Sequence, residues 1–331
     1  MRLRKLGNTG LLVSPIGLGS AALGRPGYIN LGHGTDYKAG RTEADMAARS
    51  EKMFRLAYQK GVRFFDTARS YGKGEAFLGH WLRTEPHVHD ITVSSKWGYV
   101  YTAEWQVEAE DHEIKRHNPE VLAQQWEESK QNLGDWLDLY QIHSATLDSG
   151  VLENQEVLDG LRKIKADGMR IGLSLGGGVK QGDTLRAAME IKDGDVPLFD
   201  TVQATWNILE SSAGNALAEA HDAGMGVILK EVMANGRLTV RNEEPGFAEK
   251  REVLNELSEK YGVGPDALAL ATAVAMPWCD VALTGASTPE QLESNLQALQ
   301  IHLSTEDLGV LLSLKESPKA YWNTRKNMAW N

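Results

Sequence analysis

Four side chains that can hold or move a proton stand at or near the ends of short apolar segments in the first half of the chain. Asp66 ends the run Phe-Phe-Asp, Lys96 ends Thr-Val-Ser-Ser-Lys, and His143 ends Leu-Tyr-Gln-Ile-His. Tyr71 follows Asp66 by five residues. Parallel strands bring their carboxyl ends to one edge of a sheet, so we expect these four side chains to converge there.

Brought together, the four groups make a general acid with electrostatic support. A tyrosine hydroxyl has a pKa of about 10, too high for easy proton transfer at neutral pH. A nearby ammonium favours the phenolate, so we expect Lys96 to lower the pKa of Tyr71 and Asp66 to hold Lys96 in place. His143 can donate a hydrogen bond to a substrate oxygen, which suits protonation of an alkoxide as it forms. No serine or cysteine stands in a nucleophile-elbow motif.

Each of these residues, taken singly, has an ordinary explanation. A strand-end lysine or aspartate is usually solvated, and a single histidine in an apolar strand is more often a buried structural residue than a catalyst. The catalytic interpretation therefore depends on a fold that brings consecutive strand ends together.

Short apolar segments alternate with longer amphipathic ones along the chain, which predicts βα units and a parallel sheet. An N-terminal β-hairpin is expected first, with arms Arg2–Leu6 and Leu11–Val13 around a Gly-Asn-Thr-Gly turn. The predicted strands are Ile16–Leu18, Arg63–Asp66, Ile91–Lys96, Leu137–His143, Arg170–Leu175, Thr201–Thr205, Gly226–Lys230 and Val281–Leu283. The predicted helices are Glu43–Lys60, Gly74–Leu82, Pro119–Leu133, Gln155–Asp167, Thr184–Ile191, Asn215–Ala223, Glu249–Tyr261, Pro265–Met276, Pro289–Leu299 and Thr305–Leu314.

Eight strand–helix units favour an α/β fold of the (β/α)8 TIM-barrel type over a doubly wound sheet. A dinucleotide-binding doubly wound fold requires G-x-G-x-x-G after its first strand. Gly17 and Gly19 begin that motif, but Ala22 stands where its third glycine belongs. The composition shows no break, so we predict a single domain over residues 1–331. Long loops after strands one, three and seven should lie on the active-site face of a barrel: Arg25–Gly40, Trp97–Asn118 and Asn235–Ala248.

Composition narrows the function classes. The 331 residues include 45 acidic and 35 basic ones, for a net charge of -10, with 42% hydrophobic residues and a mean hydropathy of -0.36. This composition argues against disorder and against a nucleic-acid or anionic-membrane partner. The single cysteine, Cys279, fits a reducing compartment. The N-terminus has no apolar signal region, and the apolar stretch Ala267–Ala275 is too short to span a membrane, so we predict a cytoplasmic protein.

Several motifs, in order along most of the chain, resemble those of the aldo-keto reductases. They are Leu6-Gly-Asn-Thr-Gly10 with Ile16-Gly-Leu-Gly19, Phe65-Asp-Thr-Ala68 through Tyr71-Gly72 and Glu75, Ser95-Lys96, Leu137–His143, Gly172-Leu-Ser174, Val202-Gln203 with Asn207, and Gly285-Ala-Ser287 through Asn295. The resemblance implies a (β/α)8 barrel and NAD(P)-dependent hydride transfer. The substrate class it implies is a small carbonyl compound, a sugar lactol or an alcohol.

The resemblance also implies roles for individual residues. Tyr71 would be the acid/base, Lys96 and Asp66 its support, and His143 the residue that orients the carbonyl. Ser174 and Gln203 match contacts to the nicotinamide carboxamide. The adenosine-phosphate end of the cofactor would lie on the segment that contains Gly285, Ser287, Gln291 and Asn295.

Two departures from the family pattern affect the cofactor contacts. After Ser174 the family commonly has Asn, whereas this chain has Leu175. After strand seven, Lys230-Glu-Val-Met replaces a Tyr-Ser-Pro-Leu type of run, so Trp206 becomes a candidate to stack on the nicotinamide. Lys230 is either a solvated or ion-paired residue or a contact to the cofactor phosphates.

The segment that matches the adenosine-phosphate site has no basic residue and contains Glu290 and Glu293. A 2′-phosphate is normally bound by arginine or lysine, so we expect NAD to be used at least as well as NADP. A basic residue from another loop, such as Lys230 or Arg237, would restore NADP preference.

The aromatic loop after Lys96 is either a packed cluster or a wall of the substrate pocket. On the second reading, Trp97 and Trp105 would contact the substrate. In the tail, Trp322 and Trp330 would cover the pocket or pack on a partner chain. The sequence leaves the oligomeric state open.

Two alternative functions stay open at this point. The first is a cofactor-binding interaction subunit that senses nucleotide redox state on the same barrel. The second is a metal-dependent isomerase or hydrolase, suggested by His87 with His89 and by His112, Glu113 and His117. We predict no metal site, because His87 and His89 precede a strand instead of ending one.

Overall fold

Eight parallel strands close into a barrel in the computed structural model, which describes residues 1–37 and 40–331. Each strand pairs with its neighbours in sequence, and the last pairs with the first. The predicted (β/α)8 barrel is thereby confirmed. The strands are β1 (Ile16–Gly19), β2 (Phe64–Asp66), β3 (Thr92–Trp97), β4 (Leu137–Ala145), β5 (Arg170–Leu175), β6 (Thr201–Thr205), β7 (Gly226–Lys230) and β8 (Val281–Thr284).

Helices surround the barrel close to their predicted positions. They are α1 (Glu43–Gln59), α2 (Gly74–Thr84), α3 (Pro119–Leu133), α4 (Gln155–Ala166), α5 (Gln181–Met189), α6 (Gly214–Asp222), α7 (Ala248–Tyr261), α8 (Pro265–Val274), α9 (Pro289–Leu296), α10 (Thr305–Ser313) and α11 (Pro318–Lys326). Helix α11 was not predicted. Within the part of the chain that the structure describes, no helix combines the length and apolar character needed to cross a bilayer.

The predicted N-terminal hairpin is present and covers the end of the barrel opposite the carboxyl ends of the strands. Arg4–Lys5 pairs with Leu12–Val13 in antiparallel register. Leu6 is fully buried in an apolar cluster with residues of several barrel strands, Phe64, Leu139, Ile228 and Val281. The turn requires glycine at position 7, because φ is +49° there and a Cβ would collide with the backbone at Gly226.

All three predicted long loops contain short segments of regular structure. Trp97 belongs to β3, and the segment after it folds into a hairpin that pairs Tyr99–Tyr101 with Glu113–Lys115. The loop after β7, predicted as Asn235–Ala248, contains two short 3-10 turns. In the predicted loop Arg25–Gly40, residues 38 and 39 lie outside the described residues, and a 3-10 turn spans His33–Asp36.

A buried carboxylate joins three elements behind the catalytic strand ends. Glu75, in the first turn of α2, is 1% exposed. It accepts hydrogen bonds from Ser95 Oγ of β3 and Ser129 Oγ of α3, both at 2.6 Å. It also accepts from Asn132 and from Arg69, at 3.0 and 2.8 Å. Because its partners lie on β3, on α3 and in the segment after β2, Glu75 fixes the relative positions of α2, α3 and β3.

Replacement of Glu75 by Ala should destabilise the protein strongly. Four donors would lose their acceptor, and the loss of one partner from a buried ion pair costs about 3–5 kcal/mol. Glu128→Ala is the matched control, since Glu128 pairs with the same Arg69 from the surface and exposed pairs contribute at most about 1 kcal/mol. Urea unfolding measures the free energy of unfolding of both variants. Similar losses for the two variants would contradict the structural role of Glu75.

Candidate active site

A cavity of about 190 Å³ opens at the carboxyl ends of the barrel strands. Asp66, Tyr71 and His143 line it, together with Gln203 and Lys230. Lys96 does not line the cavity and has no exposed surface. The structure therefore brings together the four residues that the sequence singled out, with the lysine as the innermost member.

The Lys96 ammonium is held by a carboxylate and a backbone carbonyl. It donates to Asp66 Oδ2 at 2.6 Å and to the carbonyl oxygen of Thr67 at 2.7 Å. The other Asp66 oxygen accepts from Ser94 Oγ at 2.6 Å and from Gln203 Nε2 at 3.0 Å. Burial lowers the pKa of Lys96, although the Asp66 charge opposes that effect. The ion pair thus joins β2, β3 and β6 at the floor of the cavity.

The Tyr71 ring lies over this ion pair. Lys96 Nζ is 4.9 Å from the centre of the ring, and on another side Arg25 lies 5.4 Å from it. Burial, followed by the negative charges of Asp66 and Glu113, raises the pKa of Tyr71 well above its ordinary value. Burial is the largest cause of this shift, and a lowering of the pKa of Tyr71 by Lys96 stays a prediction. Tyr71 is therefore a neutral phenol.

His143 is turned into the cavity by an irregularity in β4. The register of β4 against β5 shifts between Ile142 and Ala145, and Ser144 has a φ of +57°. The carbonyl of His143 accepts from His117 Nε2 at 2.8 Å, and that of Ser144 accepts from Lys115 Nζ at 2.8 Å. A side chain at such a bulge is re-aimed relative to a regular strand.

The His143 ring is neutral in this environment. Burial lowers its pKa well below the ordinary value, and the charges of Lys96 and Lys230 act in the same direction. Its ring centre lies 5.5 Å from that of Tyr71 and 5.0 Å from that of Tyr99. A neutral imidazole keeps one N–H donor, so Tyr71 and His143 can both donate hydrogen bonds toward one point in the cavity.

Arg25 and Glu113 line one part of the cavity, a position that the sequence analysis did not assign to them. Arg25 donates to Glu113 Oε2 at 2.7 Å and to the carbonyl of Ser70 at 2.9 Å. Trp330, near the C-terminus, lies 4.8 Å from the Arg25 guanidinium and stacks on His112 at 3.8 Å. The position of Arg25 soon after β1 was a usable signal for this wall, whereas its contact with the tail was not.

A second ion pair fixes the tail to the opposite wall. Glu231, with a φ of +53°, is bonded to Arg325 of α11 at 2.9 Å. Arg325 and Glu231 both line the cavity beside Lys230. Among the described residues, the Lys230 side chain has neither a hydrogen bond nor an ion pair, in contrast to the charged residues next to it.

The candidate carboxamide contacts lie side by side in neighbouring strands. Ser174 of β5 and Gln203 of β6 are paired in register. Ser174 is fully buried and its hydroxyl has no hydrogen-bond partner in the described part of the chain. Gln203 donates one N–H to Asp66. A buried hydroxyl without a partner is rare and fits a donor or acceptor supplied by a ligand.

A second cavity, of about 270 Å³, continues the first toward α9. Asn30, Met233, Gly236 and Gly285 line both cavities, and Gln291 and Asn295 line the second. Asn295 is tied down by Thr284 and by Asp266, to which it donates at 2.6 Å. Together the two cavities form an elongated cleft from Tyr71 to the start of α9.

The polar groups at the far end of this cleft converge on a carboxylate of the chain itself. Asp36 accepts from Ser287 Oγ and Gln291 Nε2, both at 3.0 Å, and from Arg241 at 2.5 and 3.2 Å. Burial raises the pKa of Asp36, but His33, Arg241 and Gln291 together hold it well below its ordinary value. The sequence did not identify Asp36.

Three tryptophans that were predicted to contact the substrate or the nicotinamide do not line either cavity. Trp97 has no exposed surface and packs in the core, because the side chain after Lys96 points to the opposite face of β3. Trp105 donates to the carbonyl of Arg41 at 2.8 Å and does not line either cavity. Trp206 packs against Trp278, with ring centres 5.4 Å apart, outside the cleft.

The histidines considered as metal ligands have other contacts. His112 stacks on Trp330, His117 bonds to the His143 carbonyl, and His87 lies 3.4 Å from Glu85 on the surface. No group of three possible metal-ligating side chains occurs within residues 1–37 and 40–331.

Comparison with known proteins gives a family and a set of relatives. The model described as Aldo/keto reductase family matches residues 15–316. Aldo-keto reductase YhdN of Bacillus subtilis (strain 168) is 27% identical over 337 residues, which covers 93% of this chain and 91% of the relative. NADH-specific methylglyoxal reductase of Escherichia coli (strain K12) is 25% identical over 287 residues, covering 79% and 86%.

Two further relatives extend this picture. D-threo-aldose 1-dehydrogenase of a Pseudomonas species is 28% identical over 229 residues, covering 64% of this chain and 65% of the relative. Among solved structures, aldo-keto reductase AKR11C1 from Bacillus halodurans, in its holo form, superposes with a TM-score of 0.71. It covers 96% of this chain and 97% of its own, at 20% identity, and so supports the fold.

Asp66→Asn should destabilise the protein in a pH-dependent way. At pH 7 the loss of a partner from a buried ion pair should cost about 3–5 kcal/mol. Without the carboxylate the pKa of Lys96 falls further, so the folded state binds fewer protons than the unfolded state. Stability of the variant should therefore rise with pH, and its deficit against wild type should shrink by pH 9.

Urea unfolding of both proteins at the two pH values measures this deficit. Asp90→Asn is the control, because it removes the exposed partner of Arg63. It should lower the free energy of unfolding by less than about 1 kcal/mol at both pH values. A deficit for Asp66→Asn that does not change with pH would show that Lys96 is not the group responsible.

Proposed function

The chain belongs to the aldo/keto reductase family, and we propose that it is an NAD(P)-dependent oxidoreductase. It would reduce a small carbonyl compound to the corresponding alcohol, or oxidise an alcohol or a sugar lactol in the reverse direction. The observation that carries the proposal is the convergence of Tyr71 and His143, both neutral donors, over a buried Lys96–Asp66 pair. The family supports an oxidoreductase, and its NADH-specific relative supports a nicotinamide cofactor.

The residues of the chain provide the proton side of the reaction. A bound reduced nicotinamide would supply the hydride that the carbonyl carbon accepts. Tyr71 gives its phenolic proton to the carbonyl oxygen, so that the C=O bond becomes CH–OH. His143 donates a hydrogen bond to the same oxygen and orients it. Lys96 then stabilises the phenolate left on Tyr71, and Asp66 keeps the lysine in place.

The residues along the cleft fit a dinucleotide. The unpartnered Ser174 hydroxyl and the Gln203 side chain would hold the carboxamide beside Tyr71. Gly285, Asn295 and the start of α9 would receive the adenosine end, where Thr288 caps the helix. Ser287 and Gln291 would act there as well, although Asp36 engages them.

Turnover on a panel of aldehydes, ketones and sugars with NADH and NADPH tests the function directly. Consumption of reduced cofactor with any of these substrates supports the proposal. Tight cofactor binding without turnover on the whole panel would instead support a cofactor-sensing interaction subunit.

Tyr71→Phe should abolish most of the activity while cofactor binding stays near wild type. Removal of a positioned acid typically costs about 10²- to 10⁴-fold in rate. Tyr99→Phe is the matched control, because its ring also packs on His143 but no proton transfer is assigned to it. Measurement of kcat/KM and of cofactor Kd checks both variants. A Tyr71→Phe enzyme with the kcat of wild type, or equal losses in the two variants, would refute the assignment.

We propose that Asp36 makes NAD at least as good a cofactor as NADP. Its carboxylate shares the Ser287 and Gln291 donors that the resemblance assigns to the adenosine phosphate. It also neutralises Arg241, whose side chain lines the second cavity together with Gln291. A 2′-phosphate brings roughly two further negative charges, which a fixed carboxylate would repel. Glu290, in the first turn of α9, adds to this effect.

Asp36→Asn should shift the cofactor preference toward NADP by about tenfold, or 1.4 kcal/mol. The change removes the repulsion and frees Arg241 for the phosphate. The measurement is kcat/KM for both cofactors in wild type and variant, with Asp90→Asn as a control that removes an equal charge from Arg63 at the surface. A wild-type enzyme that prefers NADP more than tenfold would contradict the proposal.

A further inference from the structure

The charged groups around the catalytic cavity balance in pairs, with one exception. Arg25 pairs with Glu113 at 2.7 Å, Arg325 pairs with Glu231 at 2.9 Å, and the Lys96 ammonium behind the cavity pairs with Asp66 at 2.6 Å. Lys230 lines the same cavity without a carboxylate of its own. Within the described residues the cavity therefore carries one uncompensated positive charge.

The remaining lining groups do not cancel this charge. His143 is neutral, since burial and the neighbouring ammonium groups hold its pKa well below its ordinary value. Tyr71 and Tyr28 are neutral phenols, because burial raises the pKa of both. The Glu231 carboxylate attracts Lys230, but both of its oxygens face other groups, Arg325 and the Thr205 hydroxyl.

The Lys230 ammonium lies near the reacting groups. It stands at the last position of β7, opposite Thr205 in register, and shares the cavity with Tyr71, His143 and Gln203. Its charge contributes to the pKa shift of His143. A half-buried ammonium that lacks a partner gains most from a ligand that brings an anion into hydrogen-bond reach.

From this charge balance we infer that Lys230 binds an anionic group of the substrate, and that the substrate is a carbonyl compound carrying a carboxylate or a phosphate. The inference rests on the proposed oxidoreductase function. The same ammonium would also suit a phosphate of the cofactor, so the experiment separates the two sources of the anion.

The test compares matched substrates that differ by one anionic group. Succinic semialdehyde is compared with butanal, and glyceraldehyde 3-phosphate with glyceraldehyde, under saturating cofactor. Wild type should favour the charged member of at least one pair by roughly 10- to 100-fold in kcat/KM, the range of a charge-assisted hydrogen bond. Lys230→Met should lose most of that preference, because its KM for the charged substrate should rise. Lys230→Arg should retain the preference.

Controls address folding, general electrostatics and the cofactor. Circular dichroism checks that each variant is folded, and Lys230→Gln replaces Lys230→Met if the latter is not. Lys180→Met removes a lysine that pairs with Asp148 outside the cavity, and should leave the preference unchanged. Cofactor Kd is measured by fluorescence for wild type and for each Lys230 variant.

Three results would overturn the inference while leaving the oxidoreductase function intact. The first is equal activity of the wild type on the charged and neutral members of both pairs. The second is a preference for the charged member that survives Lys230→Met. The third is a tenfold weaker cofactor Kd in Lys230→Met, with equal losses of activity on all substrates. The last result assigns Lys230 to the cofactor phosphate. Absence of turnover on the wider carbonyl panel would instead refute the proposed function.

Discussion

The buried ion pair between Lys96 and Asp66 is the constraint on which the mouth of the barrel depends. Removing two charges from water costs several kcal/mol per ion, which is recovered only when both are well hydrogen-bonded. Asp66 meets this requirement by accepting from Lys96, Ser94 and Gln203, and so connects β2, β3 and β6. Glu75 fixes the same region from behind through Ser95. A positive charge is thereby held 4.9 Å from the Tyr71 ring.

On the proposed function, this arrangement would act on the proton transfer and leave Tyr71 protonated at rest. Burial raises the pKa of Tyr71 in the cavity and lowers that of His143, so both are neutral donors before a substrate arrives. On the proposed mechanism a phenolate forms only when the proton has moved to the substrate oxygen, and only then does the Lys96 ammonium gain a second negative neighbour beside Asp66. An interaction that grows during the reaction lowers the barrier, whereas one already present in the resting state would not.

The barrel and the four central residues were predictable because local patterns specify them. An apolar run that ends in a polar residue identifies both a buried strand and the side chain at its mouth, as at Asp66 and His143. The same reasoning fails one residue further on. Trp97 and Trp206 were placed at the cavity by residue type, but alternate residues of a strand face opposite sides, and both side chains pack outside the barrel.

The loops around the cleft were predictable, but the ion pairs within its walls were not, since each pair joins distant segments of the chain. The Arg25–Glu113, Glu231–Arg325 and Asp36–Arg241 pairs join residues 88, 94 and 205 positions apart. Each connects a loop or the tail to the catalytic end, where partial burial strengthens the attraction. Strands and floor thus fix the chemistry, while paired charges from loops fix the shape and charge of the cleft. A change in one pair can alter the choice of substrate or cofactor without moving Tyr71, because the floor is held by a separate set of hydrogen bonds.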